Sequence, residues 1–332
     1  MFHIYVFIAV ALLLIKLYLF YIRRSCKSHR CLIGKTALIT GGYSGIGFAT
    51  AVDLAKRGCK VIIADIMNPM ESAERVKHLT GNPNVYGLPI DLSSLKSVRK
   101  FSKILHNIEE KIDILINNAG ACGFNGQFTN DELQKTMQIN HLGGFLLIHL
   151  VLDMLKKAEK ARIVSVSSIY SFLHNMKSHN EINKPPSTFD KKLTTIVDYG
   201  NSKLCVIAAC NVMSKKLVKY NITCNTLCPG LVWTSIHYDS FKAIPNKSVI
   251  DKFLFFTFYL SWIWFYSKTV MQGAQTSINC VVSEKLDSVT GQFFRNCEPS
   301  RQPRLVQDPD FCQNVYKESE VLCGLTSDEK IS

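Results

Sequence analysis

A doubly wound α/β domain on a parallel sheet is the fold this sequence predicts, and three observations predict it. Short apolar runs of strand length alternate with stretches of helical spacing between residues 33 and 298. The first run, Lys35-Thr-Ala-Leu-Ile-Thr40, breaks into a glycine-rich turn that opens at once into the helical pattern Phe48-Ala-Thr-Ala-Val-Asp-Leu-Ala55. The second run, Lys60-Val-Ile-Ile-Ala-Asp65, ends in an acid 24 residues beyond Gly41. Strand, glycine turn, helix and a strand-end acid at that distance describe a dinucleotide-binding, Rossmann-type single domain.

The chain has 332 residues, 47% of them hydrophobic and 20% charged, which fits a globular chain of one large α/β domain or two small ones. A formal net charge of +13 implies an acidic partner surface, membrane or nucleic acid. The basic residues are scattered, without an arginine-rich run or a zinc pattern, so a membrane is expected and nucleic acid is not. Twelve cysteines at irregular spacings, with no C-x-x-C pair, read as reduced thiols rather than as a disulfide framework, and no metal site is expected.

In chain order, residues 2–22 form the strongest apolar run, long enough at 1.5 Å per residue to span a bilayer core of ~30 Å. Lys16 lies near one end and can snorkel. No small-residue cleavage site follows, so a retained transmembrane anchor is expected. Residues 23–32 form a basic linker; Arg23, Arg24, Lys27 and Arg30 place the following domain on the cytosolic side by the positive-inside rule. The sequons at Asn221 and Asn246 are then incidental.

The glycine turn is spaced G-x-x-x-G-x-G (Gly41, Gly45, Gly47), unlike the usual G-x-G-x-x-G. Its glycines let the backbone approach a pyrophosphate, and the helix beyond aims its free N–H groups at the same place. Asp65 stands where a ribose 2′-hydroxyl is held in NAD sites, and its charge would repel the 2′-phosphate of NADP. Further strands are expected at 85–91, 113–117, 162–168 and 222–228, with a short one at 292–294. Helices are expected over 71–79, 95–110, 131–157 and from Tyr199 to about 219. Asn140, beside Gly143 and Gly144, is a poor helix-forming choice and suggests a local function. Residues 172–196, with Pro185-Pro186, read as a loop or lid. The aromatic segment 253–266 is too short to span a bilayer and suits a pocket wall, an interfacial segment or a buried helix. Residues 299–332 read as a polar, peripheral tail.

With the glycine turn, Asn117-Asn-Ala-Gly120, Ser168, Tyr199-x-x-x-Lys203 and Pro229-Gly230 in this order, residues 33–297 resemble a classical short-chain dehydrogenase/reductase. The N-terminal anchor, Gln138-Ile-Asn-His-Leu-Gly143 and Gln272-Gly-Ala-Gln-Thr-Ser277 are most similar to the retinol dehydrogenase-like group. The resemblance implies Tyr199 as general acid/base, Lys203 as its electrostatic activator and ribose ligand, Ser168 as the hydroxyl orienting the substrate oxygen, and Asn140 as holder of a relay water. It also implies a cofactor channel lined by Ser44, Ile46, Asn118, Ala119 and Gly120, with Asp91 and Leu92 near the adenine and Val232 and Thr234 near the carboxamide. Ser168, which ends its strand, fits better than Ser167, which should point the other way. A free tyrosine has a pKa near 10, so lowering it about three units takes roughly 4 kcal/mol of preference for the phenolate.

Two departures from the family pattern shape the expectation. Ser168 and Tyr199 are 31 positions apart, so 172–196 must loop out. Ile66 rather than arginine follows Asp65, against the habit of NADP-preferring members of the group. The expected activity is therefore NAD-linked oxidation of a lipophilic alcohol such as a retinoid or steroid at the endoplasmic reticulum membrane, with a homodimer left open. An NADP-linked carbonyl reductase and a non-catalytic dinucleotide-binding scaffold are the alternatives.

Overall fold

The run Thr36–Thr40 forms β1, in which every residue is buried and successive side chains serve opposite faces of the sheet. Leu38 joins one apolar cluster, whereas Ala37 and Ile39 join the other. The computed structural model describes residues 2–184, 194–234, 236 and 248–331, leaving aside the side chains of 2–5, 8, 9, 251, 252 and 256. Strands β2 (Lys60–Asp65), β3 (Val85–Pro89), β4 (Ile114–Asn117), β5 (Ala161–Val166), β6 (Ile222–Cys228) and β7 (Phe293–Arg295) run parallel to β1. The two-residue β8 (Glu298–Pro299) pairs antiparallel with β7, and the order is β3-β2-β1-β4-β5-β6-β7-β8. Direction reverses between β1 and β4, which opens a crevice at the carboxyl ends of those strands.

Helices cover both faces. Gly45–Lys56, Pro69–Thr80 and Val270–Val282 pack on one, and Leu95–Ile108, Gly143–Leu150, Thr194–Leu217 and Pro309–Leu322 on the other. Pro69–Thr80 has the stop and start signals its sequence offers: Asn68 caps Glu71 N–H, Pro69 takes the first turn, and Gly81 ends it at φ 70°.

Four expectations need correction. The helix expected over 131–157 is broken into Lys135–Met137, a π-turn at Gln138–Leu142, Gly143–Leu150 and Leu152–Lys156. The π-turn falls on Asn140 and leads into Gly143, where an added Cβ would lie 2.7 Å from the Leu92 carbonyl oxygen, so close packing governs this helix more than propensity. Within 172–196, described residues include a short 3-10 turn at His179–Glu181, and the following helix already starts at Thr194; residues 185–193 lie outside the described set. Tyr199 therefore sits inside that helix rather than at its start.

The tail is part of the core. Phe311, Val315 and Tyr316 of Pro309–Leu322 are buried in the cluster under Thr194–Leu217, with Ile331 beyond them. Its helical period hides three apolar positions on one face of a segment that is polar on average. Ser319 Oγ pairs with His141 Nε2 at 2.8 Å, and Tyr316 Oη with His149 Nε2 at 3.0 Å, so buried polar atoms on both sides are satisfied.

The fourth concerns the N-terminus. A 20-residue helix, Phe2–Tyr21, does form. Among the described residues, however, no helix is long and apolar enough to cross a membrane. Lys16 interrupts the apolar run within Phe2–Tyr21. The basic linker is no loose tether: Arg23 donates to the Tyr266 and Ser267 carbonyls and to Gln272, Ser28 to the Val282 carbonyl, and Arg30 to Asp287. Residues 23–32 are thus strapped to the domain.

Replacing Tyr316 with Ala removes a buried ring and leaves His149 Nε2 without its partner, so urea denaturation should show about 3 kcal/mol of lost stability. A loss under 1 kcal/mol would restore the peripheral tail.

Candidate active site

The crevice between β1 and β4 widens into a cavity of about 570 Å³ that extends from Asp65 to Tyr259. Its first wall is the glycine turn. Gly41 has φ 68°, and a Cβ there would lie 2.7 Å from Ala119 Cα; at Gly47 a Cβ would lie 2.2 Å from the Gly41 carbonyl oxygen. Only glycine lets β1 and the helix behind it come this close. Asn118 holds the two turns together, donating from Nδ2 to the Thr40 and Gly41 carbonyls at 3.0 and 2.9 Å. Ser44 starts the helix Gly45–Lys56 without a side-chain cap bond, so its first-turn N–H groups and positive dipole end face the cavity.

Asp65 ends β2 on the same wall. Its Oδ2 accepts from Tyr43 N–H at 2.9 Å and its Oδ1 from Met67 N–H at 3.0 Å, which fixes the carboxylate beside the glycine turn. Asp91 and Leu92 stand across from it, with Asp91 Oδ1 accepting from Ser93. Space over Gly45 is open, with Thr234 Cγ2 at 3.9 Å the nearest atom to a Cβ there. A nicotinamide dinucleotide fits these residues: an acid-flanked end for ribose and adenine, N–H groups for the pyrophosphate, and a path past Gly120, Pro229, Gly230, Val232 and Thr234 to Tyr199.

At the far end, three side chains converge. Tyr199 and Lys203 project from consecutive turns of Thr194–Leu217, and the Lys203 Nζ lies 5.6 Å from the Tyr199 ring centroid. Lys203 is only 2% exposed, and its ammonium donates to the Val166 carbonyl at 2.8 Å. Burial pushes its pKa down to about 8, which leaves it mostly cationic at pH 7. Burial, and then the Cys122 thiol nearby, push the Tyr199 phenol well above its usual value, against the pull of the Ser168 hydroxyl beside it. The protein's own groups thus hold Tyr199 as an acid, where the sequence reading needs a lowered pKa. Added positive charge in the cavity would move it further the way Ser168 pulls.

Every expected site residue except Gly47 and Asn140 lines this cavity. Gly47 acts through the close approach just described. Asn140 sits behind the wall: its Oδ1 accepts from Ala121 N–H at 2.7 Å, and its Nδ2 donates to the Ala121 carbonyl and to Ser202 Oγ, both at 2.9 Å. It borders a separate cavity of about 20 Å³ with Asn117 and His141. Ser167 turns its hydroxyl to the Lys203 carbonyl at 2.8 Å and so fixes the helix carrying the lysine.

Sequence reasoning missed several wall residues, Tyr170, Cys122 and Tyr259 among them. Tyr170 stands edge-on to Tyr199 with centroids 5.9 Å apart, and its position two residues past Ser168 was the available signal. Cys122 follows Gly120 closely enough to have been suspected. Tyr259 arrives from a distant helix and carried no signal of its own.

Comparison with known proteins agrees with this geometry. The short chain dehydrogenase family profile matches residues 35–179. Retinol dehydrogenase 11 of Mus musculus is 34% identical over 275 residues, covering 82% of this chain and 81% of that protein. Retinol dehydrogenase 13 of Mus musculus is 31% identical over 303 residues, covering 91% and 87%. Among solved structures, levodione reductase has a TM-score of 0.61 at 23% identity, covering 79% of this chain and 95% of that one. L-Sorbose reductase from Gluconobacter frateurii has a TM-score of 0.63 at 19% identity, covering 80% and 96%. These two likenesses show the fold. The chain belongs to the short-chain dehydrogenase/reductase family, in its retinol dehydrogenase-like group, and is an NAD(P)-dependent oxidoreductase acting on CH–OH groups.

Proposed function

We propose that this enzyme interconverts a lipophilic alcohol, such as a retinoid or steroid, and its carbonyl with NAD as the favoured carrier, at the endoplasmic reticulum membrane. The observation that carries the reading is the convergence of Ser168, Tyr199 and Lys203 on one wall, between the acid-flanked dinucleotide end and an aromatic end of the same cavity. When bound, the dinucleotide accepts or returns the hydride. Ser168 Oγ donates to the substrate oxygen and holds it against Tyr199 Oη. In oxidation Tyr199 takes the hydroxyl proton; in reduction it returns one. Lys203 supplies positive charge beneath the ring, and Asn140 keeps the Ala121 backbone in place beside it.

Asp65 supports NAD. Its carboxylate is fixed on the wall by two backbone N–H groups, so the 2′-phosphate of NADP would meet a charge that cannot swing away. One observation favours the reductase alternative: burial holds Tyr199 protonated, the form that gives a proton to a carbonyl. Membrane attachment is supported by the apolar helix Phe2–Tyr21, whose described side chains include exposed Phe7, Leu13, Leu14 and Leu17, and by the basic residues that follow it. The same residues support a cytosolic catalytic domain.

Purified detergent-solubilised enzyme, given NAD⁺ or NADP⁺ with retinols, steroids and long-chain alcohols, should reduce NAD⁺ and lose at least roughly 10³-fold activity on Tyr199→Phe. Dinucleotide binding without turnover in either direction would leave the scaffold reading instead. Asp65→Ser should shift the NAD/NADP ratio of kcat/KM by roughly tenfold toward NADP, the equivalent of about 1.4 kcal/mol. An unchanged ratio removes Asp65 as the selector.

The folded pKa of Lys203 is below its unfolded one, so the fold disfavours the charged form. That penalty is complete below pH 8 and fades as the pH rises toward 10.5. Lys203→Met should therefore abolish turnover yet add about 2 kcal/mol of stability at pH 7, after allowing for the lost bond to Val166. The gain should shrink above pH 8. Equal destabilisation at both pH values would contradict the burial argument.

A further inference from the structure

At the end of the cavity remote from the glycine turn, Tyr259 lies beside Tyr170, whose ring stands edge-on to Tyr199. Tyr259 belongs to the helical run Val249–Leu254, Phe255–Tyr259 and Leu260–Tyr266. One face of this run is buried, with Phe255, Ile263 and Tyr266 each under a tenth exposed. The opposite face presents Phe253, Phe258, Trp262 and Trp264, which are 59%, 63%, 52% and 71% exposed. No charged residue occurs between Phe253 and Tyr266. Such a continuous aromatic surface fits an apolar partner rather than water.

What covers it is indicated by its neighbour. Tyr266 Oη donates to the Leu12 carbonyl at 3.4 Å, and Lys16 Nζ lies 3.7 Å from the Phe265 centroid. The apolar helix Phe2–Tyr21 thus packs beside this run, and Arg23 ties the two at one end through the Tyr266 and Ser267 carbonyls. Of the basic residues at that same end, Arg24 and Arg30 pair with Glu298 and Asp287, and the exposed Lys27 is placed to meet an anionic lipid surface.

We propose that the exposed face of Val249–Tyr266 lies in the boundary between headgroups and acyl chains of a lipid bilayer, beside Phe2–Tyr21, as a second membrane contact that does not span. Tryptophan and tyrosine favour that depth because their rings are apolar and their N–H and O–H groups reach water. In this placement Tyr259, which is 36% exposed and also lines the cavity, forms the wall between the acyl layer and the catalytic tyrosine. A lipophilic alcohol then reaches Tyr199 without crossing water. This last step rests on the proposed activity; the placement does not.

The chain has three tryptophans, and the third, Trp233, lies off this helix. In full-length Trp233→Phe protein bound to phosphatidylcholine–phosphatidylserine vesicles, emission from Trp262 and Trp264 should be quenched by lipids brominated on the acyl chain, most strongly when the bromines are near the headgroup. Vesicle-bound protein whose tryptophans are not quenched would overturn the placement while leaving attachment through Phe2–Tyr21 intact. The double variant Trp262→Glu, Trp264→Glu should raise KM for an alcohol delivered in vesicles about tenfold and leave kcat/KM for a short water-soluble alcohol unchanged. Equal effects on both would overturn the acyl-layer route. Should neither alcohol be turned over, the activity reading falls, and quenching alone decides the placement.

Discussion

The close approach of two turns at the carboxyl edge of the sheet is the constraint on which the rest of the structure depends. β1 and β4 are neighbours, and the chain leaves them in opposite directions. For a ligand to enter between them, the backbone at Gly41 must touch Ala119, and the helix beginning at Gly45 must lie back against Gly41 at Gly47. Asn118 then closes the contact by donating to two carbonyls of the first turn that β-pairing leaves unused. A side chain at Gly41 or Gly47 would separate the strands, and the cavity would lose its floor before any catalytic group was affected.

A second dependency follows from burial. The helix Thr194–Leu217 is held between the sheet and Pro309–Leu322, which buries Lys203 and leaves Tyr199 partly exposed, on the cavity wall. The same packing drives the phenol up and the ammonium down, so two groups that are nearly matched in water are spread apart, with the phenol holding its proton more tightly than the ammonium. Stability is given up to hold a lysine there, and the carbonyl of Val166 offsets part of it. The C-terminal segment thus contributes to the chemistry without touching the cavity: it supplies the pressure from behind that keeps Lys203 dry.

Elements whose signals are local were legible in the chain. β1, β2 and the turn between strand and helix announce themselves by alternation, glycine and a strand-end acid, and the expected wall residues were found because their order along the chain is itself diagnostic. Asn140 was legible as an anomaly but not in its setting: the π-turn that aims it at Ala121 arises from the packing of Gly143 against Leu92, which no window of sequence contains. Pro309–Leu322 was misread because its mean polarity hides an apolar face, whose partners lie more than ninety residues upstream. The pKa of Tyr199 depends on more than its neighbours in sequence: burial raises it, and the charges of Lys203 and of a bound nicotinamide oppose that rise.

The aromatic segment shows where such reading reaches its limit and what structure adds. From composition alone, 253–266 could be a pocket wall, an interfacial segment or a core helix, and these seemed exclusive. The structure makes the first two compatible by dividing the helix by face: Tyr259 reaches the cavity beside Tyr170 while still 36% exposed, and Phe258 and Trp262, one residue before and three after it, are exposed further. A helix repeats every 3.6 residues, so adjacent positions can serve opposite environments within one turn. The strap of residues 23–32 then fixes this helix relative to Phe2–Tyr21 through Arg23, so movement of one at a membrane surface is transmitted to the other. Tyr259 lies beside Tyr170 and Tyr170 stands edge-on to Tyr199, so three tyrosine side chains in a row join that helix to the Ser168–Lys203 end of the cavity.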